Sequence, residues 1–266
     1  HGLGAEPWLI VGGSALAILV FVVRQLQLQR SGEPLLDLRT FRHTVFSRGV
    51  LLLSVSFMGM LGAMMLLPLY LQSVRGLTAL ETGLLVMPGG IAMGLLGPRV
   101  GRAFDRFGSR LLIIPGAVGV ALAMGSLTQI GSHTPYWLIL GAHLVLMVSM
   151  AAVFTPTFTL ALGDVPGHLY SHASSLLGTL QQVAGALGTA IVITIMTARA
   201  DQLIDRGTLT LEATVEGMRW GFGFGAIIAV VLIGLVLLMP NRLHDGDPEP
   251  LEDGRPEGRE ELAPVS

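Results

Sequence analysis

Gly49-Val-Leu-Leu-Leu-Ser-Val-Ser-Phe-Met-Gly-Met-Leu-Gly-Ala-Met-Met-Leu-Leu-Pro-Leu-Tyr-Leu71 contains no charged side chain. A hydrocarbon core about 30 Å thick requires roughly 20 apolar residues in one helix, because every backbone polar group must be satisfied within the segment. The run from Gly49 to Leu71 meets that requirement, and six further apolar runs accompany it at about residues 8–23, 82–97, 111–130, 137–160, 173–198 and 220–239. The pattern predicts an all-α polytopic membrane protein with about seven transmembrane helices. Apolar residues form 52% of the chain and charged residues 13%, too little polar surface to coat a water-soluble globule of 266 residues.

The ends and loops organise these spans. The chain begins at His1, and its first apolar run is followed rather than preceded by arginines, which does not fit a secretory signal peptide. The connector 24–48 is polar, and the segment Glu33–Arg42 within it is expected to form a short amphipathic helix on the membrane surface. It separates an accessory span at 1–23 from a six-helix bundle at 49–239. The tail 240–266 carries eight acids against Arg242, Arg255 and Arg259; it is expected to be disordered, and it leaves about +3 on the rest of a chain whose net charge is −2.

Assigning alternate loops to opposite sides collects twelve arginines on one side, among them Arg39, Arg48, Arg102 and Arg110. Only Arg75, Arg199, Arg206 and Arg219 fall on the other. Positive charge is retained in the cytoplasm, so the N-terminus is expected outside and the C-terminus inside. Trp8, Tyr70, Trp137 and Trp220 then fall at outward helix ends, where amphipathic rings favour the interface.

Between the third and fourth spans lies Gly101-Arg-Ala-Phe-Asp105-Arg106-Phe-Gly108-Ser-Arg110. Gly97-Pro98 is expected to close the third helix, the glycines to permit a tight turn, and Asp105 to lie before the positive N-terminal dipole of the fourth helix. An acid so placed can lock a loop against neighbouring helix ends. The blander alternative is that the arginines anchor the loop on the cytoplasmic side and Asp105 is their solvated partner.

This loop resembles the signature loop of the major facilitator superfamily. Pro34-Leu-Leu-Asp-Leu-Arg-Thr-Phe41, Leu67-Pro-Leu-Tyr-Leu-Gln-Ser-Val-Arg-Gly-Leu-Thr78 and Glu81-Thr-Gly-Leu-Leu-Val-Met-Pro88 resemble the fourteen-helix drug:proton antiporter branch of EmrB/QacA type. The resemblance runs from about Arg24 to Met239. It implies one linker helix followed by the C-terminal six-helix bundle, with the N-terminal half of the transporter as partner. It further implies secondary active export of small lipophilic substrates against protons across a bacterial cell membrane. Gly101, Asp105, Arg106, Gly108 and Arg110 would form a conformational latch that stabilises closure of the cytoplasmic side. Family members commonly carry Arg-Gln where this chain has Gln181-Gln182, and the branch's proton-coupling motifs belong to helices preceding these.

Other residues invite a role on chemistry alone. Ser174, Gly178, Gln182, Gly185 and Thr189 are expected close to one face of the sixth span, with Gln181 beside them; buried amides there serve a cavity or act as interhelical hydrogen-bond glue. His143 sits within the fifth span with no acid placed beside it, which favours a structural hydrogen bond over a relay. Met58 and Met65, seven residues apart on one helix face, are candidates for an adaptable substrate-facing wall, although lipid-facing packing explains them equally. Pro88, Gly89 and Gly90 are expected to loosen the third helix and permit bending. Asp164-Val-Pro-Gly167 is read as a turn and cap before the sixth span.

Some functions are disfavoured. With no cysteine, no metal-ligand spacing and no nucleophile-base pair, a polytopic membrane enzyme has little to work with, and no cofactor is expected. The sequence contains neither lysine nor a G-x4-G-K-[ST] loop, which argues against nucleotide-driven pumping, and nothing points to nucleic acid. A non-transporting membrane partner or a truncated product remains the alternative to an exporter.

Overall fold

The computed structural model describes residues 5–31 and 36–241. The acidic tail, Glu33 and the side chain of Trp8 lie outside the described residues. Seven α-helices are present among those residues: α1 (Ala5–Ser31), α2 (Thr44–Ser73), α3 (Ala79–Phe107), α4 (Arg110–Leu127), α5 (Tyr136–Gly163), α6 (Tyr170–Ile204) and α7 (Thr210–Val236). The segments containing α2 to α7 are each long and apolar enough to cross a membrane. In α1 the apolar stretch is shorter, Gly12–Gln25, and among the described residues this helix shows no extended packing against another helix. The protein is thus an all-helical, multi-pass membrane protein with six spans in one bundle and an extra helix beside it.

The amphipathic helix expected at Glu33–Arg42 begins outside the described residues; its described part forms a 3-10 turn at Leu38–Arg42, capped by the Asp37 carboxylate through the N–H of Arg39 at 2.8 Å. Several helices run further than hydropathy alone predicts. α3 begins at Ala79 because Thr78 and Glu81 form a reciprocal capping box, the Thr78 hydroxyl accepting from the Glu81 N–H and the Glu81 carboxylate from the Thr78 N–H. α6 continues to Ile204 and α7 starts at Thr210, so most of the expected outer loop between Arg199 and Arg219 is helix rather than loop. Polar side chains beyond the hydrocarbon do not stop a helix; they only change its solvent. Gly207, at φ +87°, ends α6, with Thr208 N–H donating to Leu203 and Gly207 N–H to Ile204, the pair of bonds that closes a helix on a left-handed glycine.

α2 and α5 pack on each other at the centre; α3 lies on α5 and α6 on α2. α4 and α7 pair with each other, α4 also against α5 and α7 also against α2. Exchanging α2–α4 for α5–α7 preserves these pairings, although the extensive contact of α6 with α7 has only a slight counterpart between α3 and α4, and since three crossings separate the two triplets they run in opposite directions. This is the arrangement of an inverted three-plus-three repeat, which residue-level comparison of the two halves does not display.

Both ends of the bundle are tied across the sequence. At the end where α2 begins, Asp164 Oδ2 accepts from the N–H groups of Val45 and Phe46, and Arg48 Nη1 donates to the Leu238 carbonyl. At the opposite end, the fully buried Tyr70 donates its hydroxyl to Gly131 O at 2.7 Å, and Arg75 donates to Ser132 O while lying over the Tyr136 ring. The expectation that Asp164 caps the sixth span is corrected: its carboxylate caps α2, because the end of α5 approaches the start of α2 more closely than sequence order suggests.

Candidate functional site

Two faces of the bundle are left open. Only 11% of the most apolar window of α3 is buried, against 56% for α2. The exposed stripe of α3 carries Leu84, Met87, Ile91 and Leu95, with Gly83, Gly90, Gly94 and Gly97 between them. No atom lies within 4 Å of where a Cβ would stand at any of these four glycines. On α6 the exposed stripe runs Gly178, Gln182, Ala186, Ala190 and Thr194, a step of one turn each, with Val183 and Leu187 beside it. Small residues at one-turn spacing on an open, apolar face let another helix approach to backbone contact.

Between α3 and α6 the surface is formed by α2 and α5. Phe57 and Phe154 lie with ring centroids 6.1 Å apart and Phe154 and Phe158 at 6.4 Å, joining the two central helices. Phe57 also lies against Gly185 of α6. Gln181, one turn before Gly185, is buried, and its Nε2 has no hydrogen-bond partner. An unpartnered amide inside an apolar span is an expensive feature, which a hydrogen-bonding partner would relieve.

The residues singled out by sequence fall into three groups. Gln181 is buried whereas Gln182 is exposed, and the proposed single face of Ser174, Gly178, Gln182, Gly185 and Thr189 is divided. Ser174, Gly178 and Gln182 look outward, while Gly185 packs beneath Leu61 and Phe57, and Thr189 donates back to the Gly185 carbonyl. Met65 is exposed, but Met58 is partly buried under α6, where Gly188 rests on its carbonyl and side chain. The two methionines therefore do not form one continuous wall.

His143 and Gly89 form the second group, and they meet each other. The His143 ring nitrogen Nε2 lies 3.2 Å from the Val86 carbonyl, an acceptor only, so Nε2 carries a proton and donates. A Cβ on Gly89 would stand 2.6 Å from that ring. Gly89 is therefore a close-packing residue that brings α3 onto α5, whereas Gly90 faces open space. Pro88 and Pro98 both lie inside an uninterrupted α3.

The third group is the signature segment, and here the expectation is corrected. Gly97-Pro98 does not close the third helix; α3 continues through Gly101, Asp105 and Arg106 to Phe107. Each i→i−4 bond that proline cannot make is lost singly, and the flanking turns carry the helix past it. Asp105 is thus an exposed residue in the last turn of α3, a short step before α4 begins at Arg110. It forms no ion pair among the described residues. Arg106 stacks its guanidinium 5.1 Å from the Phe107 ring centroid.

The turn proper is Gly108-Ser109, and it is clasped by the segment after α7. Ser109 donates its N–H to Asn241 O at 2.9 Å and its hydroxyl to Pro240 O at 2.7 Å. Asn241 Oδ1 accepts from the N–H of Arg110 at 3.2 Å, capping α4 where Ser109 makes no cap bond of its own. Gly108 sits at φ +82°, and a Cβ there would stand 2.6 Å from Asn241 Oδ1, so both conformation and space demand glycine.

Sequence reasoning missed the aromatic cluster, the Asn241 clasp and the cap from Asp164. Only Phe154 and Phe158, one turn apart on α5, offered a local signal. Among the described residues no group of three His, Asp or Glu side chains is placed to hold a metal ion.

Comparison with known proteins agrees with this architecture. The sequence profile of the Major Facilitator Superfamily matches residues 5–189. A lincomycin resistance protein, LmrB, of Listeria monocytogenes is 40% identical over 228 residues, covering 84% of this chain and 47% of the relative. A puromycin resistance protein, pur8, of Streptomyces alboniger is 27% identical over 240 residues, 86% of this chain and 48% of the relative. A multidrug resistance protein B homolog of Mycobacterium tuberculosis is 28% identical over 170 residues, 63% of this chain and 32% of the relative. The chain spans about half the length of the lincomycin and puromycin resistance relatives. On the profile match and the six-span bundle together, it belongs to the major facilitator superfamily, a family of transporters rather than enzymes.

Proposed function

We propose that this chain is the C-terminal bundle of a proton-coupled exporter of small lipophilic compounds, of the fourteen-helix EmrB/QacA type, in a bacterial cell membrane with the C-terminus inside. The observation that carries the reading is the pair of open faces on α3 and α6, which flank a surface with Phe57 and, buried just beneath, Phe154 and the unpartnered Gln181 amide. An N-terminal bundle covering those faces would enclose that surface as a transport cavity, alternately opened to either side by rocking of the two bodies. Relatives named for lincomycin, puromycin and multidrug resistance support a drug-like substrate. Proton coupling and the side of the membrane rest on the family resemblance and on the arginine asymmetry.

In this reading Gln181 offers a hydrogen bond to the substrate or to cavity water, with Gln182 and Met65 toward the opposing bundle. Asp105 is the latch acid; with no ion-pair partner among the described residues, it acts on the facing half. Arg106 and Arg110 supply the positive charge around it, and Gly101, where a Cβ would meet only Thr155 Cγ2 at 4.0 Å, leaves that part of α3 slim toward the facing half. Export would be tested by expressing this chain with and without a matching N-terminal half in a drug-sensitive bacterium. Resistance only upon co-expression is the expected result; resistance from this chain alone, as a monomer, would contradict the half-transporter assignment.

A further inference from the structure

A second concave site lies away from the two open faces, over the outward side of α7 where α6 and the end of α4 border it. It is a groove of about 980 Å³. Its polar end holds Arg199 and Gln202 of α6, Glu216, Arg219 and Trp220 of α7, and Thr128. Its apolar end holds Ile195, Phe224 and Ile227. These lie one or two turns nearer the middle of the membrane than Arg199 and Trp220, so the groove changes from charged to greasy along the bilayer normal.

The charged end is arranged for an anion. Glu216 is occupied: its Oε2 accepts from Arg219 Nη1 at 3.2 Å and its Oε1 from Trp220 Nε1 at 3.3 Å. Arg219 Nε donates to the Thr128 carbonyl at 2.8 Å, which pins that guanidinium to the rim of α4. Arg199 lies 5.2 Å from the Trp220 ring centroid and donates from Nη1 to Gln202, yet its Nε is buried without a partner. Two guanidinium groups against one carboxylate leave the lining with one net positive charge. Guanidinium groups present paired donors that match phosphate oxygens.

The depth of the site is marked independently. Trp220 and Trp137 are both largely exposed at this end of the bundle, 54% and 69%, and exposed tryptophans settle at the headgroup level of a bilayer. Arg199 and Arg219 therefore stand where lipid phosphates stand, on the leaflet opposite the end that carries Asp105.

We propose that this groove is a binding site for an anionic phospholipid, with the phosphodiester held by Arg199 and Arg219 and one acyl chain lying along Ile195, Phe224 and Ile227. The proposal does not depend on the exporter reading; it requires only that the bundle spans a membrane. By joining α6, α7 and the end of α4, a bound lipid would set the rigidity of the helix pair that carries one of the open faces.

The test is native mass spectrometry of the intact protein, purified in mild detergent and delipidated. Dioleoyl phosphatidylglycerol, dioleoylglycerol and inorganic phosphate are titrated separately and in competition. The expected result is one tightly held phosphatidylglycerol, dioleoylglycerol bound roughly tenfold more weakly, and no displacement by millimolar phosphate, the fold difference being that of a charge-assisted hydrogen bond. Arg199→Gln should weaken phosphatidylglycerol by about tenfold and leave dioleoylglycerol unchanged. Ile227→Trp, which fills the apolar end without touching charge, should weaken both lipids, and it serves as the second variant if Arg199→Gln folds poorly. Equal affinity for the two lipids, unchanged binding in both variants, or full displacement by inorganic phosphate would each overturn the proposal.

Discussion

Asp164, the last residue of α5's C-terminal turn, accepts a hydrogen bond from the backbone N–H of Phe46 at 3.1 Å, 118 residues earlier in the chain. The neighbouring Val45 N–H donates to the same oxygen at 3.0 Å. His43, the residue in the capping position of α2, makes no side-chain cap bond, so the first turn of the central helix depends on a carboxylate delivered by another.

Asp164→Ala should therefore destabilise the bundle by about 1–3 kcal/mol, the cost of a lost charge-assisted cap with the N–H groups left in a partly buried place. Asp164→Asn should recover part of that loss, since the amide oxygen still accepts. Thermal unfolding in detergent, followed by helical circular dichroism, measures both. An Asp164→Ala protein that melts with the parent would show that water replaces the cap at no cost.

Adjacent glycines on α3 should behave differently. Gly89→Ala places a methyl group 2.6 Å from the His143 ring and should cost about 1–3 kcal/mol. Gly90→Ala points into open space and should leave the fold intact, or stabilise it slightly through helix propensity. Gly89→Ala combined with His143→Ala should restore part of the loss through the space released. The readout is the same melting experiment, and equal effects of the two single substitutions would contradict the packing role of Gly89.

How far the sequence reveals this molecule depends on what each residue answers to. The spans from Gly49, Leu111 and Trp137 are legible because lipid imposes one requirement, length of apolar helix, that any local window displays. Asp105 and Arg199 read as loop residues in the sequence, because a charged residue past the membrane edge looks the same whether its backbone is helical or not. Pro88-Gly89-Gly90 suggests looseness, yet the decisive fact at Gly89 is a histidine on another helix. The caps from Asp164 and Asn241, and the meeting of Phe57 with Phe154, exist only once distant segments are side by side, and no window of sequence contains both members.

The side on which each end lies is directly measurable. Phe107 and Leu209 are exposed, at 50% and 70%, at opposite ends of the bundle, whereas Ser109 is fully buried and unsuited to labelling. Phe107→Cys should resist an impermeant thiol reagent added to intact cells, and Leu209→Cys should react, in a chain that has no cysteine of its own. The reverse pattern would refute the orientation inferred from the arginines.

Asp105→Asn, in the assembled transporter, should slow cycling by roughly tenfold while leaving equilibrium substrate affinity unchanged, the size of a typical coupling between sites. Because Asp105 has no ion-pair partner among the described residues and is exposed, the substitution should not alter the melting temperature of this chain. Its effect should be a shift toward cytoplasmic opening, seen as greater reactivity of cysteines placed in the cavity. Arg99→Gln is the charge control. Unchanged rate and accessibility would reduce the segment to a positive anchor.

The cross-sequence ties also set the order in which the helices would part. α2 and α4 have their first turns held by Asp164 and Asn241, α5 has its entry fixed through Tyr70 and Arg75, and α7 is held to α4 through Arg219 and Thr128. α3 leans chiefly on α5, through the contact of Gly89 with His143 and its own terminal turns. Its amides should therefore exchange with solvent deuterium before those of the other spans whenever the opposite face is bare, making α3 the helix whose slow exchange reports that a partner has docked.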